Sequence, residues 1–229
     1  MLAWPLSGEC ERFKTIVANS GLANAAENSL LEHDRVAISA FVERMYPETD
    51  TFHMPFGEMT ITPDDVVQIL NLPDQGTAVK FNYTKQLSWA QLYALTKKCL
   101  GWDEETTTTE FRRHASYRTR QINITALMNM FRGTLEKEKN GTLTDEQVNH
   151  AATAYLLCVL GCVIFPNTSG NRIDANLIQL LDPLHEVGDY SWGTACLAFL
   201  MEELRKASRL GTCQVAGNVA LLQVFSLTL

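Results

Sequence analysis

The chain has 229 residues, of which 46% are apolar, and a formal net charge of -7. This length suits one large domain or two small ones, and this apolar share can fill a core. The negative charge disfavours a mainly electrostatic grip on DNA or on an anionic membrane, so only a local basic patch would contact either.

The first residues lack the basic start and the apolar segment of a secretory signal, and none of the six cysteines forms a CxxC pair. We therefore expect a reducing, intracellular compartment. Cys158 and Cys162 lie one helical turn apart in an apolar segment, which favours buried thiols over a metal or redox site. The longest apolar run, residues 151 to 165, is shorter than the ~20 residues of a spanning helix, so we expect no membrane contact.

Apolar residues recur at helical spacing over most of the chain, and capping residues, glycine or proline bound the repeats. The predicted helices cover residues 9–19, 34–45, 63–72, 88–101, 124–138, 145–165, 175–181, 192–208 and 214–229. In the second of them, Val36 is expected to face inward. The helix at 145–165 is apolar on nearly all sides and should lie at the centre of the fold, with Gly161 allowing a close crossing.

Two stretches between these helices have weaker patterns. Thr106 to Thr109 form a run of poor helix formers and predict a loop. Residues 111 to 120 are the basic segment, with Arg112, Arg113, Arg118 and Arg120 beside two aromatic residues. This segment is either an exposed face that balances nearby acids or the candidate nucleic-acid-binding strip.

A small β-hairpin is predicted at about residues 51–61. Thr51 to Met54 and Glu58 to Ile61 are two short runs on either side of a Pro55-Phe56-Gly57 turn. The hairpin residues Phe52, His53, Phe56 and Glu58 are our candidate partner-binding residues. His53 either faces solvent, caps the turn or contacts a partner.

The sequence lacks the patterns that carry enzyme chemistry. It has no G-x-S-x-G, its five histidines are scattered, and its glycines do not form a phosphate-binding loop. Asp64 and Asp65 are adequately explained by the positive end of a helix dipole. We therefore expect no catalytic residues, no cofactor, no metal and no small-molecule substrate.

The hairpin and the helix after it resemble the signature of the plant mobile domain. Members have an F-H-x-P-F-G-E-M-T-I-T-x-x-D-V core followed by an L-G-L-P-like ending, and here Asn71 stands where glycine is common. Later segments that also resemble the family are Ala154 to Leu157, Phe165-Pro166, Tyr190 to Gly193 and Leu221 to Gln223. The resemblance covers nearly the whole chain.

That family occurs in plant transposon proteins and in host proteins of the MAINTENANCE OF MERISTEMS type. The resemblance implies a nuclear protein acting in transposon silencing, gene expression, genome integrity and meristem maintenance, with a PPP-type serine/threonine phosphatase-like partner. Members are sometimes labelled aminotransferase-like. A pyridoxal enzyme needs a Schiff-base lysine and a phosphate cup on a large α/β scaffold, and this sequence shows neither parallel-strand runs nor such a cup.

We therefore predict a mainly α-helical, compact single domain over residues 1–229 with one small hairpin. The apolar C-terminus leads us to expect that the chain is part of a longer protein or that another chain covers its last helix. The first functional hypothesis is a non-enzymatic interaction or scaffold module of a nuclear complex. The alternative is a nucleic-acid-binding domain of a transposon-derived protein.

Overall fold

The fold, taken from a computed structural model, is mainly α-helical and is described for residues 4–25, 34–79, 87–114, 120–209 and 215–227. The α-helices are α1 (Glu11–Asn19), α2 (Arg35–Arg44), α3 (Pro63–Leu70), α4 (Trp89–Leu100), α5 (Glu104–His114), α6 (Ile124–Phe131), α7 (Thr134–Lys139), α8 (Asp145–Val159), α9 (Trp192–Arg209) and α10 (Val219–Leu227). Short 3-10 helices lie at Leu6–Gly8, Ala175–Leu181 and Leu184–Asp189, and a π-helix at Leu160–Ile164 extends α8.

Within the described residues, five short strands form two small antiparallel sheets. The first sheet has the order β1 (Met45–Tyr46), β2 (Thr51–Met54), β3 (Gly57–Met59), with Phe52 opposite both Met45 and Met59. The second pairs β4 (Gln121–Asn123) with β5 (Arg172–Asp174). The predicted hairpin is confirmed, while β1 and the second sheet were missed because strands of two or three residues leave almost no alternation to detect.

Three helices begin at residues that cap them with a side chain. Thr62, Ser88 and Thr144 each close a capping box, in which the hydroxyl accepts from the backbone N–H three residues later. At the other ends, Gly101 and Asn71 are left-handed, and Asn is the residue that best replaces glycine in that conformation.

Helix α8 lies at the centre, as predicted. Its residues from Ala151 to Val159 are all buried, and α1, α4 and α6 pack around it. Together with its π-helical extension, α8 is 20 residues long, and its length and composition would be enough to cross a membrane. The expectation that this segment is too short for that is therefore wrong. In this fold 78% of its apolar window is buried inside the protein, as in the core helix of a globular domain.

The close helix crossing predicted at Gly161 is instead a close contact between the π-helix and strand β5. A Cβ atom on Gly161 would lie 2.4 Å from Cγ2 of Ile173 on β5, so only glycine fits at this distance. Just beyond, the Val163 carbonyl accepts a hydrogen bond of 3.0 Å from the Asn218 side chain, which ties the extension to the start of α10. The two contacts fix where β5 and α10 meet the central helix.

Three predictions about helices are wrong. The threonine run lies in α5, because Thr107 is buried with its hydroxyl 2.9 Å from that of Thr96 on α4. This tertiary contact outweighs the poor helix propensity of threonine. Val36 is 79% exposed and does not face inward. The helix predicted at 124–138 is interrupted at Gly133, which has a φ of 83° and separates α6 from α7.

Cys158 is a buried thiol, as predicted, and Cys213 lies outside the described residues. Cys10, Cys99, Cys158 and Cys196 are free and buried, and Cys162 is partly buried. Burial raises the pKa of Cys99 and of Cys196 to about 12. A thiol held neutral in this way is a packing group and a poor nucleophile.

Candidate interaction surface

The three-stranded sheet is anchored to the core by its inner face. Phe52 is completely buried, and its ring meets that of Phe41 edge-on, with the ring centroids 5.2 Å apart. Phe41 in turn contacts Phe225 of α10. The proposal of Phe52 as a partner-binding residue is therefore corrected: its side chain fixes the sheet in place and is not available at the surface.

The outer face of the sheet carries the other predicted residues. His53 stacks on Tyr46, with ring centroids 3.4 Å apart and planes 7° from parallel. Its Nε2 lies 3.4 Å from Oε1 of Glu58, the residue directly opposite on β3. That separation is within ion-pair range, yet the geometry gives Nε2 no hydrogen bond within the described part of the chain, so the aromatic stack is the better-defined contact.

The turn between β2 and β3 projects an aromatic side chain. Phe56 is 74% exposed, and Gly57 after it has a φ of 139°, a conformation that other residues rarely adopt. Tyr46, on the same outer face as His53, is 48% exposed. We call Tyr46, His53, Phe56 and Glu58 the hairpin face. It combines exposed aromatic surface with a backbone that the buried Phe52 anchors to the core.

The chain around the hairpin face is uniformly acidic. Residues 45 to 79 contain no lysine or arginine and six acidic residues. Some of these carboxylates have internal roles: Asp50 is paired with Arg205 of α9 through two contacts of 2.6 and 3.2 Å, and Asp65 closes the capping box of α3. Glu58 keeps a side chain that is 59% exposed. The hairpin face therefore presents negative charge.

The family-like segments meet inside the protein. The N–H of Gly193 donates to the carbonyl of Pro73 at 2.8 Å, and a Cβ on Gly193 would lie 3.1 Å from that oxygen. The indole of Trp192 is fully buried and donates to the carbonyls of Ser20 and Val187. The L-N-L-P ending and the W-G pair thus pack α3 against α9, which is a structural role.

Most side chains of the basic segment lie outside the part of the chain that the structure describes. Arg120 is partly buried, with its guanidinium carbon 5.5 Å from the centroid of the Trp89 ring. Its Nη1 is buried and has no hydrogen-bond acceptor among the described residues. Arg118 lies outside the described residues, as do the side chains of Arg112 and Arg113 on α5. Arg120 is therefore a core-edge residue, and the proposed strip stays a prediction.

A groove of about 590 Å³ runs beside the start of α8. His150 lies within it, with Nε2 4.0 Å from Glu146, and Gly101 at the end of α4 approaches the ring so closely that a Cβ would be 2.7 Å away. Leu100, Met130 and Leu143 give the groove an apolar part. Within the described part of the chain, no group of three metal-ligating residues is present. Lys137, Glu146 and His150 also line the groove, which has the size of a ligand site.

The chain as a whole matches the sequence model of the plant mobile domain over residues 21–228. It therefore belongs to the plant mobile domain family. Among its relatives in Arabidopsis thaliana are "Protein MAINTENANCE OF MERISTEMS", 32% identical over 82% of this chain and 36% of the relative, and "Protein MAIN-LIKE 2", 29% identical over 92% of this chain and 29% of the relative.

A third relative from the same plant has a different kind of name. "Serine/threonine-protein phosphatase 7 long form homolog" is 29% identical over 99% of this chain, which covers 15% of that protein. The chain thus spans between about a seventh and about a third of the length of these relatives. No solved structure matches it.

Proposed function

We propose that this domain is a non-enzymatic interaction and scaffold module of a nuclear complex acting in transposon silencing, gene expression, genome integrity and meristem maintenance. A PPP-type serine/threonine phosphatase-like protein is its proposed partner. The observation that carries the interaction role is Phe56, a large aromatic side chain that is 74% exposed on a turn held by a core-anchored sheet.

The exposure of Phe56 and the anchoring of its sheet together favour binding at this turn. Covering an exposed phenylalanine with a partner removes apolar surface from water, which makes the free energy of binding more favourable. Aromatic residues dominate the energetics of protein interfaces for this reason. Because Phe52 fixes the strands from below, binding would immobilise few additional backbone torsions. The stacked Tyr46 and His53 rings add further aromatic surface on the same sheet.

The relatives support the biological setting. One carries meristem maintenance in its name, and another, named as a phosphatase homolog, contains a stretch similar to nearly all of this chain. That relative supports a phosphatase-like protein as the proposed partner. Membership in the family supports the same setting.

Affinity purification from plant nuclei tests the proposal. The full-length protein is recovered as wild type, as Phe56→Ser and as Met130→Ser, a control in which a 40% exposed apolar residue on α6 is changed. We expect the phosphatase-like partner with the wild type and the control, and loss of most of it with Phe56→Ser. Equal recovery with all three proteins would contradict a hairpin interface. Recovery of nucleic acid alone, insensitive to Phe56, would favour the nucleic-acid alternative.

A further inference from the structure

Strand β3 is an open edge of the three-stranded sheet. It pairs with β2 on one side, and among the described residues no strand pairs with its other side. Hydrogen-bonded and non-hydrogen-bonded pairs alternate along an antiparallel ladder, so part of the β3 backbone turns its N–H and C=O groups outward. Gly57 and Glu58 are both exposed. Such an edge accepts a further strand from another chain.

The charge around this edge selects the kind of strand that fits. Glu58 is 59% exposed, and its described side-chain contacts are His53 at 3.4 Å and the Thr51 hydroxyl at 3.5 Å, both at the limit of a polar contact. Asp64, at the start of α3, is exposed as well. Residues 45 to 79 supply no cation, and the arginines of α9 lie beside other acids, Arg205 at Asp50 and Arg209 at Glu48. Among the described residues, no lysine or arginine lies within ion-pair distance of Glu58, so its negative charge is not compensated by either.

From this edge and this charge, we infer that β3 binds an extended lysine- or arginine-rich segment of a protein partner as a fourth strand. Main-chain hydrogen bonds to β3 supply affinity, and a basic side chain on the outer face meets Glu58. The exposed ring of Phe56 covers the apolar part of the same side chains. Nucleic acid does not fit here, because its phosphates would face carboxylates. This inference rests on the proposed interaction function and specifies the chemistry of the partner.

The test uses a synthetic probe, a nine-residue blocked peptide of alternating lysine and threonine, titrated into 15N-labelled protein and followed by NMR. We expect shifts of the amides from Gly57 to Thr60 and binding that weakens as salt rises. Glu58→Lys should weaken the affinity for the peptide by about tenfold or more, because the attraction between Glu58 and the peptide lysines becomes repulsion. The control Glu136→Lys changes an exposed acid on α7 by the same charge and should leave binding within about twofold.

Two results would overturn the inference. One is equal binding by Glu58→Lys and Glu136→Lys; the other is the absence of shifts along β3 at saturating peptide. A peptide of alternating glutamate and threonine should not bind, and Glu58→Gln should fall between wild type and Glu58→Lys. If the peptide fails while Phe56→Ser still loses the nuclear partner, the basic-strand inference is wrong and the proposed function stands. If peptide binding is seen but no partner depends on Phe56, the proposed function fails.

Discussion

The buried carboxylate of Glu9 gives a sharp test of how the N-terminal segment is held. Glu9 is 1% exposed and accepts hydrogen bonds of 2.9 Å from the Trp4 indole and from the backbone N–H groups of Gly133 and Thr134, and a further bond from the Thr134 hydroxyl. It thereby caps the start of α7, which Gly133 cannot cap with a side chain. We expect Glu9→Ala to destabilise the protein strongly.

The magnitude follows from the groups left behind. Glu9→Ala removes the acceptor of two backbone N–H groups, the indole N–H and the Thr134 hydroxyl, at roughly 1 to 3 kcal/mol for each donor that stays buried and unpaired. Water entering the cavity offsets part of this, so we expect a loss of about 3–5 kcal/mol in the free energy of unfolding. The matched control is Glu11→Ala, which removes an 86% exposed carboxylate paired with Lys14 and should cost less than about 1 kcal/mol.

Urea unfolding followed by circular dichroism measures both variants at neutral pH. The slope of the transition should stay unchanged while its midpoint falls for Glu9→Ala. A Glu9→Ala midpoint equal to that of Glu11→Ala would refute the reasoning. It would show that residues before the family match at residue 21 are not part of the cooperative core.

Three further predictions concern single positions. Gly161→Ala should cost about 1–3 kcal/mol because its Cβ collides with Ile173, and Ile173→Ala should recover part of that loss in a double-mutant cycle measured by urea unfolding. Asn71→Ala should cost about 1 kcal/mol because its φ is 51°, whereas Asn71→Gly should stay within about 0.5 kcal/mol, as thermal unfolding would show. Burial raises the pKa of Cys99 from 9.0 to about 12, so the stability that its neutral thiol contributes should be complete below pH 9 and lost as pH rises towards 12. Cys99→Ala should therefore flatten the alkaline decline in the free energy of unfolding. An unchanged decline would contradict the assignment.

Local signals in the sequence located most helices. Thr62, Ser88 and Thr144 begin helices because a hydroxyl three residues before a backbone N–H is a purely local arrangement. The apolar pattern of α8 identified the centre of the fold because a helix buried on all sides has no polar stripe. These features need no information about the rest of the chain.

The errors came from contacts between distant segments. The threonines of α5 are helical because the Thr107 hydroxyl hydrogen-bonds to that of Thr96 on α4, and local helix propensity cannot reveal such a partner. β4 is a strand because β5, some fifty residues later, pairs with it. The buried capping role of Glu9 could not be predicted from the sequence, because its partners Gly133 and Thr134 are distant along the chain.

The candidate surface was partly predictable. Phe56 follows a proline and precedes a glycine, which placed it in a turn, and the structure shows its ring exposed. Phe52 and His53 alternate along β2, so one of them had to face the core, but the sequence did not decide which. Register against Met45 and Met59 turns Phe52 inward and leaves His53 to stack on Tyr46.

Photo-crosslinking from position 56 tests the interface most directly. A benzophenone-bearing phenylalanine derivative replaces Phe56 in the full-length protein, and a second protein carries it in place of Met130 on α6. After irradiation in plant nuclei, the hairpin account predicts a covalent adduct between position 56 and a phosphatase-like protein, with none from position 130. Adducts from position 130 and none from position 56 would contradict it.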